Sequence, residues 1–236
     1  MPQDRWLWPI RWLLKPIVFL ACLIPALHMI AGALNASGVS NFGGISLGGF
    51  ALGADPVKVM LHTCGRWTLN FLMITLCMSP LRDFTHSIVW LRFRRLFGLF
   101  AFFYVLLHFT VYLLLDQSGK LGAVWQDIVK RPYITIGMLG LLLLIPLAFT
   151  STAKAQRRLG RKWTRLHRLI YVVAILGVWH FWWQVKKDIS EPRLYVCGLA
   201  LLLGYRVWMR RKSLARTGAT LLARFSVARF AKTDGA

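Results

Sequence analysis

Six long apolar runs, each separated from the next by polar or charged residues, constrain this chain more than any other feature of its sequence. A helix needs about 20 predominantly apolar residues to cross the hydrocarbon core of a bilayer. A chain that is 57% hydrophobic, with a mean hydropathy of +0.54, is too apolar for a soluble domain. We therefore predict an all-α, polytopic membrane protein built as a six-helix transmembrane bundle. The runs are Lys15–Leu34, Thr63–Pro80, Leu96–Leu115, Ile134–Thr150, Leu166–Trp183 and Leu194–Met209.

The positive charge predicts how these helices are oriented. The chain has 30 Lys and Arg against 8 Asp and Glu, for a formal net charge of +22. This excess does not indicate a nucleic-acid partner, because the basic residues lie between apolar runs; most lie at the N-terminus, in the second and fourth connections and in the tail. By the positive-inside rule both termini are expected in the cytoplasm. The expected parts are a cytoplasmic N-terminus (1–14), the transmembrane domain (15–209) and a basic cytoplasmic tail (210–236).

Three histidines within the predicted spans are the candidate functional residues. His108 lies in the outer half of the third span, and His180 lies near the outer end of the fifth. His167 precedes His180 by thirteen residues, which is about 20 Å along a helix axis. An imidazole in hydrocarbon costs free energy unless it is satisfied. Each histidine is therefore expected either to hydrogen-bond a neighbouring helix or to serve a functional site.

His108 and His180 are predicted to lie at one depth on different helices, where two imidazoles can supply both axial ligands of a haem. Two histidine ligands leave no open position on the iron, so the expected chemistry is electron transfer. For His167, stepping fourteen residues back from His108 along the third helix reaches Arg94, with Arg95 beside it. A guanidinium stays protonated and is not an ordinary iron ligand. Arg94 either pairs with a haem propionate or is simply positive charge at the inner face, and a second ligand for an inner iron stays unidentified.

Two other functions are compatible with polar residues inside a six-helix bundle. A transporter would relay protons through the histidines, but the acidic residues all lie in loops or at the ends of the runs, and proton relays usually use intramembrane carboxylates. A self-contained ferric or quinone reductase would need no protein partner. The tail is too short for a nucleotide-binding domain, so electrons are expected to arrive from another molecule. No internal repeat is evident in the sequence.

Several motifs occur in an order that resembles a known family. They are ALGADPVK from Ala51, HTCGRW from His62, RRLFGL from Arg94, RPYITIG from Arg131, AFTST from Ala148 and QRRLGRKWTRLHRLIYVVAILGVWH from Gln156. Together they closely resemble the MsrQ family, the haem-binding membrane subunits of the bacterial methionine sulfoxide reductase system. The likeness runs from about Gly53 to His180.

The resemblance implies a ferric-reductase-like transmembrane domain in the bacterial inner membrane, carrying one or two b-type haems on His108, His167 and His180. It implies a subunit that transfers electrons and leaves catalysis to a periplasmic molybdopterin-containing reductase, which repairs oxidised methionines in proteins. The electron donor would be the quinone pool or a soluble flavin reductase, and the family is also associated with FMN. The wider ferric-reductase pattern has two histidines on each of two helices, and this sequence has Arg94 where the fourth is expected.

Overall fold

The computed structural model describes residues 13–36, 53–185 and 189–233, with side chains up to residue 212, and it contains no β-strand in these ranges. The predicted all-α class is therefore confirmed. Residues 1–12 of the predicted N-terminal segment lie outside the described residues, as do the tail's side chains after residue 212. The helices are α1 Lys15–Ala36, α2 Pro56–Thr85, α3 Val89–Val111, α4 Leu121–Lys130, α5 Pro132–Phe149, α6 Ala153–Leu159, α7 Arg161–Leu166, α8 Leu169–Gln184 and α9 Ser190–Thr233, and a π-helical turn, Tyr112–Asp116, continues α3.

Four segments among the described residues are helical, long enough and apolar enough to cross a membrane: Lys15–Asn35, Val89–Asp116, Pro132–Phe149 and Arg161–Gln184. Large apolar side chains project outward from them, as expected of a surface that contacts lipid. The second and sixth predicted spans are helical within α2 and α9, but polar residues such as Arg66 and Arg206 lower the hydropathy of these helices. The chain is thus a multi-pass helical membrane protein, and the count of six spans stays a prediction.

Local sequence accounts for where several helices begin and end. The carboxylate of Asp55 caps α2 by accepting a hydrogen bond from the backbone N–H of Lys58 at 3.1 Å, and Pro56 occupies the first turn. Proline also occupies the first turn of α5, at Pro132. Gly160, with φ of 49°, separates α6 from α7 in a backbone conformation that favours glycine. These short connections hold the long helices close to their neighbours.

The fifth predicted span is not one continuous helix. The sequence predicts His167 inside a helix that begins at Leu166, whereas the structure ends α7 at Leu166 and places His167 and Arg168 in a turn before α8. The physical reason is a local change in hydrogen bonding. Arg168 N–H bonds the carbonyl of Arg165 at 3.2 Å, and Tyr171 N–H bonds the carbonyl of Arg168 at 3.1 Å, each three residues back rather than four. This tighter turn sets the direction of the His167 side chain.

Tyr104 of α3 joins α1 to the bundle. Its hydroxyl accepts a hydrogen bond from the N–H of Ala26 at 3.0 Å and donates one to the carbonyl of Cys22 at 2.9 Å. These two backbone groups stand four residues apart, beside Pro25, and normally bond each other in an α-helix. A side chain inserted into this ladder is a recognised cause of a helix bend. The fully buried Tyr104 thereby fixes how α1 packs against α3.

Arg206 of α9 performs a similar task for α2. Residue 80 is proline and has no N–H, so the carbonyl of Leu76 lacks its usual helical donor. The Arg206 guanidinium donates to that carbonyl at 2.6 Å and also donates to the hydroxyl of Tyr171 on α8. Backbone polar groups inside a membrane must find a protein partner. One guanidinium thus connects α2, α8 and α9.

Candidate functional site

A cavity of about 340 Å³ lies between α2, α3, α5 and α8, and His108 and His180 face each other across it. The centroids of the two imidazole rings are 6.2 Å apart, and the ring planes cross at 88°. Both residues are therefore at one level of the bundle, as their depths in the sequence predict. We call this space the His108–His180 cavity.

Each of the two imidazoles is held by a backbone carbonyl of a neighbouring helix. Nδ1 of His108 lies 3.0 Å from the carbonyl oxygen of Leu61 on α2, and Nδ1 of His180 lies 2.6 Å from that of Tyr133 on α5. A carbonyl oxygen only accepts, so Nδ1 must carry the proton in both rings. The lone pair of each neutral imidazole is then on Nε2. This is the tautomer and the outer-sphere hydrogen bond that metal-bound histidines typically have.

The pair fits the bis-imidazole ligation that the sequence predicts. Imidazole–metal bonds are about 2 Å long, which would place the ring centres of two in-line ligands about 6.4 Å apart. The observed 6.2 Å agrees with that separation. Glycine lies next to each ring, Gly65 beside His108 and Gly137 beside His180, so no side chain from these positions competes for the space. The donor atoms and the space are therefore compatible with a haem iron between the rings.

Both imidazoles are held by the same local arrangement, a backbone carbonyl that is followed one helical turn later by a glycine. His108 follows Leu61 by 47 residues, and His180 follows Tyr133 by 47 residues. In each half, a glycine lies one helical turn after the carbonyl. The α2–α3 pair and the α5–α8 pair thus share one spacing of carbonyl, glycine and histidine, offset by 72 residues; we call this shared spacing the internal repeat, although no repeat was evident from the sequence. Sequence reasoning missed both carbonyls and both glycines, and the repeated spacing was the signal that could have found them.

Polar and charged side chains line the rest of the His108–His180 cavity. Nε2 of His62 lies 3.2 Å from Nε2 of Gln184, which joins α2 to α8 one turn beyond His180. Arg131 at the start of α5 pairs with Asp127 at 3.3 Å, and the nearby carboxylate raises the pKa of the guanidinium further above its ordinary value. Lys58 and Arg66 add further positive charge to the lining. The lining also includes the carboxylates of Asp55 and Asp116, so the rim of the cavity carries charges of both signs.

A second cavity, of about 400 Å³, contains His167 and Arg94 in its lining. We call it the His167 cavity. Nε2 of His167 lies 3.1 Å from the hydroxyl of Thr150, whose own O–H can donate to the carbonyl of Pro146 at 2.6 Å. The indole ring of Trp163 stacks on the imidazole with centroids 4.0 Å apart. The structure therefore places Arg94 and His167 at one level, as their positions in the sequence predict.

The His167 cavity differs chemically from the first one. Among the described residues that line it, His167 is the sole imidazole, and the cationic groups are Arg94, Arg95 and Arg168. No carboxylate belongs to the described lining. By the 72-residue offset, the position equivalent to His167 is Arg95, next to the Arg94 that stands where the sequence pattern implies a fourth histidine. A second bis-imidazole site does not fit here, whereas an anionic group does.

Comparisons with known proteins agree with this geometry. The family model for the ferric reductase like transmembrane component matches residues 64–178, a range that contains His108 and His167 and ends two residues before His180. A protein of Xanthomonas campestris pv. campestris (strain 8004) is 54% identical over 175 residues, which cover 73% of this chain and 80% of that protein. A protein of Brucella ovis is 49% identical over 156 residues, covering 66% of this chain and 70% of that protein.

Both relatives are described as the heme-binding subunit MsrQ of protein-methionine-sulfoxide reductase. The likeness covers about two thirds or more of this chain and of each relative's length. We conclude that the chain belongs to the MsrQ family.

Proposed function

We propose that this chain is a haem-binding electron-transfer subunit of a membrane methionine sulfoxide reductase system. It would pass electrons from the cytoplasmic side, or from the quinone pool, to a periplasmic molybdopterin-containing reductase that repairs oxidised proteins. The observation that carries this proposal is the facing pair of His108 and His180, each with Nδ1 on a carbonyl and Nε2 free of that bond. The names of the MsrQ relatives support the haem and the methionine sulfoxide reductase.

His108 and His180 would be the axial ligands of one b-type haem. The carbonyls of Leu61 and Tyr133 fix the ring orientation and increase the basicity of the coordinating nitrogen. Both rings are partly buried between helices α2, α3, α5 and α8, which reduces the access of water. When bound there, a b-type haem supplies reversible one-electron transfer. The chain itself would carry no substrate chemistry, and methionine sulfoxide would be reduced on the separate partner chain.

The His167 cavity would be the site at which electrons enter from the cytoplasmic side. Its three arginines, without a carboxylate in the described lining, favour an anionic cofactor. The stacked pair of Trp163 and His167 offers a flat aromatic surface to a planar ring system. The FMN that the resemblance implies has both properties. We therefore propose FMN in this cavity, with Arg94 as an anion partner, in preference to a second haem on His167.

The resemblance implies the bacterial inner membrane, and the positive-inside rule would put the termini and the His167 cavity at its cytoplasmic side. The basic residues of α6 and α7 lie next to this cavity and are exposed, as is expected of a cytoplasmic face. The His108–His180 cavity would then lie near the periplasmic side, within reach of the reductase partner.

The first test is a reduced-minus-oxidised absorption spectrum of the detergent-purified chain, with haem extracted and counted per protein. We expect a low-spin b-type spectrum with one haem per chain, lost in both His108→Ala and His180→Ala. His86→Asn is the matched control, because His86 is exposed outside both cavities and its φ of 53° suits asparagine. A colourless but folded wild-type chain would overturn the proposal, and a normal low-spin spectrum in both variants would overturn the ligand assignment.

A second test addresses the direction of electron flow. His167→Ala is expected to leave the spectrum of the His108–His180 haem in place and to slow the reduction of the reductase partner when electrons are supplied from the cytoplasmic side. Unchanged partner reduction in this variant would contradict entry through the His167 cavity. If the chain, with an electron donor alone, reduced ferric chelates as fast as the partnered reaction runs, a self-contained reductase would be favoured instead.

A further inference from the structure

We infer that Gly137 is a positioning residue for His180, and that haem binding in the His108–His180 cavity requires a residue without a side chain there. The inference rests on the proposed function for the role of the haem, but the contact itself is independent of it. Gly137 lies in α5 one turn after Tyr133, whose carbonyl holds the same imidazole.

A methyl group at position 137 would collide with the ring. A Cβ built on Gly137 would lie 2.8 Å from Nδ1 of His180, 2.9 Å from Cε1 and 3.3 Å from Cγ. Contacts below 3.0 Å require something to move. The His180 ring can move only at the expense of its hydrogen bond, because Nδ1 lies 2.6 Å from the carbonyl oxygen of Tyr133.

The other half of the internal repeat does not share this requirement. A Cβ on Gly65 would lie 3.5 Å from Cε1 and from Nδ1 of His108, which is ordinary van der Waals contact. A third glycine, Gly140, lies on the same helix as Gly137, and its added Cβ would come no closer than 3.9 Å to Leu176. The same glycine-to-alanine change can therefore be made at three helical positions with one predicted to clash. Alanine is otherwise the better helix former at all of them.

The expected consequence is a displaced imidazole. A ring pushed away from α5 would lose its hydrogen bond to the Tyr133 carbonyl, and with it the control of tautomer and orientation. Loss of such an outer-sphere partner typically lowers metal affinity by about 10- to 100-fold. His108 would be unaffected, so the loss would concern one ligand of the pair.

The experiment compares Gly137→Ala with Gly140→Ala in the full chain, purified in detergent, because Gly140 lies on the same helix but outside the described lining of the His108–His180 cavity. Haem per chain, the low-spin spectrum and the midpoint potential are measured, and haem is titrated into haem-free protein. We expect Gly137→Ala to bind haem at least tenfold more weakly, or to bind it with a shifted potential, while Gly140→Ala behaves as the wild type. Wild-type haem affinity, spectrum and potential in Gly137→Ala would overturn the inference.

A second measurement separates a positioning role from a general folding defect and does not depend on haem. Thermal unfolding of the haem-free chain is followed for Gly137→Ala with His180 present and in the His180→Ala background. The clash predicts a lower melting temperature only when His180 is present. An equal effect in both backgrounds would overturn the contact, whereas a wild type that binds no haem would overturn the proposed function and leave this measurement valid.

Discussion

The imidazole planes of His108 and His180 cross almost at right angles, at 88°, with ring centroids 6.2 Å apart. The carbonyls of Leu61 and Tyr133 hold this orientation from opposite helical pairs. The crossing angle is therefore a property of the protein, and it has a spectroscopic consequence if both rings bind one iron.

We expect the oxidised chain to give a strongly anisotropic low-spin ferric EPR signal. Axial imidazole planes that cross make two of the iron d orbitals nearly equal in energy, and this near-degeneracy produces the anisotropy. The measurement is a low-temperature EPR spectrum of the purified chain in its oxidised form. Three well-resolved features of a moderately rhombic signal, as parallel imidazoles give, would contradict the observed crossing.

Arg206→Met is expected to destabilise the chain by about 1–3 kcal/mol, because it removes the donor to the Leu76 carbonyl and leaves that carbonyl unpaired. The melting temperature in detergent measures the effect. In a Pro80→Ala background, Arg206→Met should destabilise the chain less, since an N–H at position 80 can bond the Leu76 carbonyl within α2. A double-mutant cycle over these two positions therefore tests the explanation directly.

Arg66→Met is the matched control for this substitution. Arg66 forms a salt bridge with Glu191 at 3.2 Å, but both side chains are well exposed, at 40% and 53%. Exposed ion pairs contribute about 1 kcal/mol or less. Arg66→Met should therefore lower the melting temperature less than Arg206→Met does. An equal decrease would show that the Leu76 carbonyl is not the cause. The same conclusion would follow if Arg206→Met lowered the melting temperature equally with and without Pro80→Ala.

Tyr104→Phe is expected to loosen the packing of α1. The change removes a hydroxyl that bridges Ala26 and Cys22 and keeps the ring, so the predicted loss of about 1–3 kcal/mol comes from buried hydrogen bonding alone. Thermal unfolding and proteolysis near α1 measure it. Tyr205→Phe is the control, because its hydroxyl donates to Asp83 at a long 3.3 Å, and we expect a smaller effect. Equal melting temperatures in Tyr104→Phe and the wild type would refute the bridging role.

Much of the candidate site was predictable because it depends on local geometry. The rise per residue of a helix sets the relative depth of residues on one span, so His108 and His180 were expected at one level and Arg94 near the level of His167. The structure confirms both placements. Local rules did not predict the turn at His167, since it depends on the bonds that Arg168 and Tyr171 form to carbonyls three residues back.

The sequence by itself determined that this is a helical membrane protein, which residues lie inside the apolar spans and where proline and Asp55 start helices. These properties follow from hydropathy and from interactions within a few residues. Only the tertiary structure decided that the carbonyls of Leu61 and Tyr133 hold the imidazoles, and that Gly137 lies against His180. Such contacts join residues more than 40 positions apart, and they depend on how each helix is rotated against its neighbour. That rotation is set by the packing of whole helices.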